Sequence, residues 1–160
     1  AGHVTRRPGF GSGGTYQIID NGRGQPQLNL YESGGTQFAL LPALGAAFEG
    51  GLFAGLTTDK EGRHFAVALL PDKPAKSLPW KKAVNWAASV GGTLPTRPVA
   101  ALLFANAKDQ FNPEWHWTSE AFEGSYAWGQ NFNNGYQLGL PKSYYGQARA
   151  VRLIPVEPTP

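Results

Sequence analysis

The sequence predicts an α+β fold, and the order of its local patterns is the reason. A β-hairpin pattern over residues 50–70 comes first, two helix patterns follow, and short strand patterns continue to the end of the chain. Because strands and helices do not alternate one by one, this order does not match the βαβ units of a parallel sheet. The length of 160 residues suits one domain of ordinary size with a small additional segment.

The N-terminal arm, residues 1–14, is predicted to be extended, because it contains five glycines and no apolar periodicity. His3, Arg6 and Arg7 make this arm basic. Two interpretations stay open: a disordered tail, or an assembly arm that becomes ordered by lying across a neighbouring subunit, where its arginines pair with carboxylates. The second interpretation implies a homo-oligomer.

Strands are predicted after the arm. Three short apolar runs at residues 16–19, 28–31 and 38–41 are separated by turn-like clusters, and they indicate a β-rich segment over residues 15–47. The runs GGLFAGLT and HFAVALL then form a clearer hairpin around a turn at residues 58–62.

Two helices are predicted in the middle of the chain. Ser77 is the expected N-cap of a helix over residues 78–90, whose apolar residues recur at three- and four-residue spacing, and Gly91 ends it. Thr96 is the expected N-cap of a second helix that extends to about residue 107.

Aromatic residues are concentrated between residues 115 and 152, which hold nine of the twenty in the chain. Small, polar and glycine residues separate them, so short strands and tight turns are expected, with Asn134-Gly135 as the strongest hairpin signal. Tyr, Asn, Ser and Gly together provide rigid amphipathic area and adaptable hydrogen bonding. This composition is typical of a recognition surface.

A series of motifs runs through residues 80–152. They are WKKAVNW in the first helix, GTLPTR before the second, WHWTSE, AWGQNFNNG, KSYY and the terminal ARAVR. The series resembles the DUF1566 family, which is related to the C-terminal domain of the Legionella collagen-like adhesin. The upstream hairpin looks like versions found in tailed phages and prophages. The resemblance covers about residues 48–155 and implies a C-type-lectin-like domain there, with residues 156–160 as a tail.

The resemblance does not fix the function, because the same fold is shared by phage tropism determinants and by formylglycine-generating enzymes. Those enzymes depend on a cysteine pair, and this chain has no cysteine. No two of its three histidines have the spacing of metal ligands. The calcium-binding motifs of lectins with this fold are replaced by NPE at 112–114 and WGQ at 128–130. We therefore expect no catalysis, no metal and no cofactor.

The expected ligand-binding residues are polar and aromatic side chains of the C-terminal hairpins. They are Asn131, Asn133, Asn134, Tyr136, Gln137, Lys142, Ser143, Tyr144 and Tyr145. The alternative is that these residues form a polar, well-turned surface hairpin without a ligand. The tyrosines 136, 144 and 145 are expected to be exposed, clustered and free of core contacts.

Other residues of the same region are expected to be structural. Trp115, Trp117 and Trp128 are predicted to be core wedges between strands and helices. His116 alternates with the tryptophans along the predicted strand, so its side chain lies on the other face. Two interpretations stay open: it faces solvent beside a ligand, or its position on that face has no functional meaning. One of the two C-terminal arginines, Arg149 or Arg152, is expected to pair with a core-edge carboxylate such as Glu120.

Charge and hydropathy restrict the partners. The net charge is only +3 and no dense block of Lys and Arg occurs, which disfavours nucleic acid. No apolar run approaches the ~18 residues of a membrane helix, so membrane insertion is not expected. The first ten residues lack the apolar stretch of a secretory signal.

Together these observations predict a virion-associated protein of a tailed phage or prophage, made in the host cytoplasm. It would bind a bacterial surface glycan or receptor protein through its C-terminal hairpins and would contact other virion proteins. The alternative is a structural tail, baseplate or head decoration protein, whose lectin-like domain only mediates assembly.

Overall fold

The computed structural model describes residues 15–20, 26–32, 35–40 and 42–158, with the backbone alone for residues up to 40 and for 157–158. The chain divides into two compact units. The first unit contains the described residues up to Ala68 and those from Leu153 onward, and the second unit is Leu69–Arg152. The predicted arm, with His3, Arg6 and Arg7, lies outside the described residues.

The first unit contains a seven-stranded sheet. Its strands are β1 (Thr15–Asp20), β2 (Pro26–Glu32), β3 (Gly35–Leu40), β4 (Ala47–Phe48), β5 (Gly51–Thr58), β6 (His64–Leu69) and β10 (Val151–Pro158). The order across the sheet is β3-β2-β1-β10-β6-β5-β4. The three strands predicted from the N-terminal apolar runs are confirmed. β1 and β10 are parallel, with Tyr16 opposite Val156.

The turn between β5 and β6 follows from its sequence. Asp59 accepts hydrogen bonds from the backbone N–H groups of Glu61 (3.0 Å) and Arg63 (2.9 Å), and Gly62 supplies the positive φ of 82° that the turn requires. This confirms the predicted hairpin. The hairpin belongs to the same sheet as β10, and the first compact unit includes residues up to Ala68.

The second unit combines helices with a three-stranded sheet. Its elements are α1 (Trp80–Ser89), α2 (Arg97–Ala107), a 3-10 turn (Lys108–Gln110), β7 (Trp115–Ala121), β8 (Tyr126–Asn131) and β9 (Gln137–Pro141). β8 lies in the middle and is antiparallel to both neighbours. Both predicted helices and the mixed α+β character are confirmed. Within the described residues, neither helix has the length and apolar character needed to cross a membrane.

The ends of the two helices show which of the predicted capping residues occupy cap positions. Thr96 Oγ1 accepts a hydrogen bond from the backbone N–H of Val99 (3.3 Å), which confirms the predicted cap of α2. The predicted Ser77 cap of α1 is wrong, because α1 starts at Trp80 with Pro79 at the N-cap position and no side-chain cap. Gly91 ends α1 with a positive φ of 83°, as predicted.

The core of the second unit is built around Trp117. This side chain is 1% exposed and lies in a cluster with Ala83 and Ala87 of α1. Its indole Nε1 donates a hydrogen bond to the carbonyl of Leu78 (2.8 Å), so the buried polar group is satisfied. A Cβ at Gly146 would lie 2.9 Å from this nitrogen, so only glycine fits there without a shift. Trp117 is therefore a core wedge, as predicted.

Candidate recognition surface

The nine predicted ligand-binding residues do not form one surface, because β9 separates them. Asn131 is the last residue of β8, residues 132–136 connect it to β9, and Gln137 is the first residue of β9. Residues 142–145, which we call the tyrosine loop, follow its last residue. The five residues of β9 span roughly 16 Å at ~3.3 Å per residue, so the two groups lie at opposite ends of the sheet.

The asparagines of the first group hold the turn between β8 and β9. Asn131 Oδ1 accepts a hydrogen bond from the backbone N–H of Asn133 (2.7 Å), and Asn134 Oδ1 accepts one from Tyr136 (2.9 Å). Gly135 has the positive φ of 84° that the predicted Asn-Gly turn requires. Asn131 and Asn134 thus serve the fold through these oxygens, while Tyr136 is 66% exposed.

Gln137 is engaged within the protein at both ends of its amide. Its Nε2 donates to the carbonyl of Arg97 (2.9 Å) and to Oε1 of Gln130 (2.8 Å), and its Oε1 accepts from Nε of Arg97 (2.8 Å). Gln130 is 1% exposed and donates to the carbonyl of Ala100 in α2 (2.6 Å). This network joins β8 and β9 to α2. Gln137 is a poor candidate for donating to a ligand, because both N–H groups of its amide already donate within the protein.

The tyrosine loop has a backbone fixed from several elements. The carbonyl of Lys142 accepts a hydrogen bond from the N–H of Trp80 (3.0 Å), and the N–H of Lys142 donates to the carbonyl of Ser125 (2.8 Å). Gly146, directly after the loop, exchanges two hydrogen bonds with Leu78, of 2.8 and 3.0 Å. The loop is therefore braced at its start and just beyond its end.

The side chains of the tyrosine loop are exposed to different degrees. Tyr145 is 62% exposed and Tyr144 is 41% exposed, and Ser143 is exposed as well. The prediction that these tyrosines avoid the core is wrong for Tyr144, whose ring contacts Trp117 edge-to-face with 6.2 Å between centroids. Lys142 Nζ donates to the carbonyl of Gly124 (3.0 Å). The loop thus presents one anchored and one free tyrosine.

Arg97, Phe122 and Trp128 form a partly exposed cluster. The guanidinium of Arg97 lies 3.6 Å from the ring centroid of Trp128, and the ring of Phe122 lies 4.6 Å from the same ring. Trp128 is only partly buried and Phe122 is 40% exposed, so the prediction of a core wedge is wrong for Trp128. Glu120 Oε2 accepts a hydrogen bond from the backbone N–H of Arg97 (2.8 Å). Arg97 and Trp128 are far apart in the chain, so local sequence patterns do not predict their contact.

His116 is buried in an aromatic cluster and does not face solvent. It is 4% exposed, and its ring lies 5.2 Å from that of Phe111 and 4.9 Å from that of Phe132. Its Nδ1 is 2.9 Å from the carbonyl oxygen of Glu114. Burial lowers the pKa of His116 to about 4, and the nearby charge of Arg149 acts in the same direction. The imidazole is therefore neutral at pH 7.

Arg149 contacts backbone carbonyls and not the predicted carboxylate. Its guanidinium donates through Nη1 to the carbonyl of Gln110 and through Nη2 to the carbonyl of Leu70 (3.0 Å). Glu120, the carboxylate suggested as a partner for Arg149 or Arg152, accepts a hydrogen bond from the backbone of Arg97 as described above. In the described part of the chain, no three His, Cys, Asp or Glu residues are grouped so that they could hold a metal ion.

No family model matches the chain, and no curated protein matches it either. The resemblance to the DUF1566 family therefore stays a prediction.

Proposed function

We propose that the protein is a non-catalytic recognition module of a tailed phage or prophage particle. It binds a bacterial surface glycan or receptor protein through the tyrosine loop, and its second unit carries the helices and strands of a C-type-lectin-like domain. The observation that carries the proposal is the pair Tyr144 and Tyr145, held exposed on a loop that is braced by backbone hydrogen bonds.

The braced backbone favours binding because it lowers the entropic cost of complex formation. A loop that is already fixed loses little conformational freedom when a partner arrives. A tyrosine ring covers a large apolar area with only two rotatable side-chain bonds, and its hydroxyl can still form a hydrogen bond. Lys142 and Ser143 place an ammonium and a hydroxyl in the same loop. This combination suits the mixed apolar and hydroxyl surface of a sugar or the side chains of a receptor protein.

The contacts between motifs support the lectin-like assignment. The indole of Trp80 donates to the carbonyl of Thr118 (2.8 Å), and Trp117 donates to the carbonyl of Leu78 (2.8 Å). Glu120 accepts from the N–H of Arg97 (2.8 Å). Three motifs that lie apart in the sequence are thus joined by side-chain hydrogen bonds. A set of residues that resembles a family motif is expected to meet in this way when the fold is shared.

The test is binding of the fluorescently labelled full chain to arrays of bacterial surface glycans and to intact bacterial cells. We expect a Tyr144→Ala/Tyr145→Ala double variant to lose at least about 10-fold in affinity, because exposed aromatic anchors dominate many interfaces. Tyr136→Ala is the matched control, since Tyr136 is 66% exposed at the other end of β9. It should bind like the unmodified chain.

Tyr144 also contacts Trp117, so the double variant can lose stability as well as binding. The single variant Tyr145→Ala avoids this problem, because Tyr145 is 62% exposed. It should keep the melting temperature of the unmodified chain and still bind more weakly. Equal binding by Tyr145→Ala, the double variant and the unmodified chain would rule out the tyrosine loop as the recognition surface.

One observation favours the structural alternative, in which the domain only mediates assembly. β3 is an edge strand of the seven-stranded sheet, it is six residues long, and its sequence GTQFAL has no charged residue or proline. Natural edge strands usually carry such residues to prevent pairing with another chain. An unprotected edge is suited to pairing with a neighbouring virion protein. The two functions differ in whether the tyrosine loop is free in the assembled particle.

A further inference from the structure

A cavity of about 240 Å³ lies within the second unit. One wall is the polar connector of residues 73–77, which joins the first unit to α1. The other walls come from Gln110 and Asn112, from His116, and from residues 147–149. His116 and Gln147 are paired as a parallel bridge, which fixes the floor of the cavity.

The walls of this cavity carry positive charge and no carboxylate. Lys73, Lys76 and Arg149 line it, and its remaining residues are uncharged at pH 7. The two lysines are exposed. Among the described residues, neither Lys73 nor Lys76 forms an ion pair with a carboxylate.

Arg149 is a buried cation that forms no ion pair with a described residue. It is 5% exposed, and two of its nitrogens donate to backbone carbonyls, while Nε has no hydrogen-bond partner. Asp72 acts on it only through space, because no carboxylate of the described residues lies within ion-pair distance of the guanidinium. Burying a charge without a paired counter-charge is costly. An anion in the cavity would reduce this cost.

Neutral polar groups of the cavity can hold hydroxyl groups. His116 Nδ1 is 2.9 Å from a carbonyl oxygen, so Nδ1 carries the proton and Nε2 offers a lone pair. The low pKa of His116 keeps its imidazole neutral at pH 7. Asn112 Nδ2 donates to Oε1 of Gln147 (3.2 Å), which leaves the Gln147 amide N–H groups available as donors.

We propose that this cavity binds an anionic monosaccharide, whose carboxylate or phosphate lies between Lys73, Lys76 and Arg149 and whose hydroxyls contact His116 and Gln147. The size fits, because 240 Å³ is just below the roughly 300–1,000 Å³ of sites for larger, drug-sized ligands. A neutral sugar would leave the buried guanidinium uncompensated. A free divalent anion would not use the acceptor at His116.

This site goes beyond the proposed function and does not depend on it. The tyrosine loop lies beside the cavity, since Tyr145 is two residues before Gln147. A larger glycan could contact both, but a monosaccharide in the cavity needs neither Tyr144 nor Tyr145.

The test is isothermal titration of the full chain at low ionic strength with glucuronate, glucose 6-phosphate and glucose. We expect the two anionic sugars to bind at least about 10-fold more tightly than glucose, and the tighter of the two identifies the anionic group. Lys73→Gln/Lys76→Gln should lower the affinity for the anionic sugars at least about 10-fold. The matched control is Lys81→Gln/Lys82→Gln, because these lysines are exposed on α1 and do not line the cavity.

Three results would overturn the site. They are absence of binding by both anionic sugars, equal affinity for glucose, and an equal loss in the Lys81→Gln/Lys82→Gln control. Failure of the cavity is distinguishable from failure of the recognition surface, because Tyr144→Ala/Tyr145→Ala is expected to bind the anionic sugars with unchanged affinity. Chemical shifts of the His116 ring provide a local readout, since they should move on ligand binding while those of His64 stay fixed.

Discussion

Acidification below pH 6.5 should destabilise the protein through His116. The folded pKa of about 4 lies below the ordinary value of 6.5, because burial disfavours the imidazolium. The contribution of His116 is therefore fully present above pH 6.5. It is lost progressively as the pH falls from 6.5 to about 4, because only the unfolded chain binds the proton in that window.

The magnitude follows from the two pKa values. A difference of 2.5 units, from 6.5 to about 4, corresponds to about 3 kcal/mol when the loss is complete, at 1.36 kcal/mol per unit. At pH 4.5 the expected loss in the free energy of unfolding is about 2.5 kcal/mol. For a chain of this size that is a fall in melting temperature of about 5–10 °C.

The assay is urea or thermal unfolding at pH 7.0, 6.0, 5.0 and 4.5. His116→Phe is the informative variant, because it keeps an aromatic ring between Phe111 and Phe132 and removes the titrating group. His64→Gln is the control, since His64 bonds Thr58 in the hairpin and lies outside this cluster. We expect the decrease in the free energy of unfolding between pH 7.0 and 4.5 to disappear in His116→Phe and to persist in His64→Gln.

An unchanged slope in His116→Phe would refute the reasoning. Asp59 does not interfere in this window. Burial tends to raise its pKa, but the hydrogen bonds of Arg63 lower it below 3.8, so its stabilising contribution is lost only at a more acid pH.

Two further predictions concern local structure in the second unit. Thr96→Ala should lower the free energy of unfolding by about 1 kcal/mol through loss of the α2 cap, whereas Ser77→Ala should change it by less than about 0.5 kcal/mol, as urea unfolding would show. Gly135→Ala should cost more than Gly124→Ala. Both glycines have positive φ, but a Cβ at Gly135 would lie 2.9 Å from the Phe104 ring and one at Gly124 would meet nothing within 4 Å. Equal losses in either pair of variants would contradict the structural assignment.

Local signals in the sequence predicted most of the secondary structure. Thr96 and Gly91 act directly on the backbone at helix ends, so their effect does not depend on distant residues. The predicted start of α1 after Ser77 is wrong because Pro79 takes the N-cap position. A proline disfavours the helical conformation in the residue before it, which here excludes Leu78 from the helix.

The candidate surface was harder to predict, because it depends on register and on contacts between distant residues. The alternation of side chains correctly placed His116 and Trp117 on opposite faces of β7. Both faces of β7 are covered, however, so His116 is buried against Phe111 and Phe132. The hydrogen bond between Gln137 and Gln130 follows from their pairing across β8 and β9. The number of polar residues in a hairpin does not show which side-chain amides are bonded within the protein and which are available to a ligand.

The most direct test of the recognition function is the accessibility of the tyrosine loop in purified phage particles. Nitration of tyrosine followed by mass spectrometry measures it, with the isolated chain as reference and Tyr136 as an internal comparison. We predict that the protein is present in the particle and that Tyr145 is nitrated at the rate found in the isolated chain. Absence of the protein from the particle would contradict the account. Protection of Tyr145 in the assembled particle would do so as well, and would favour the structural alternative.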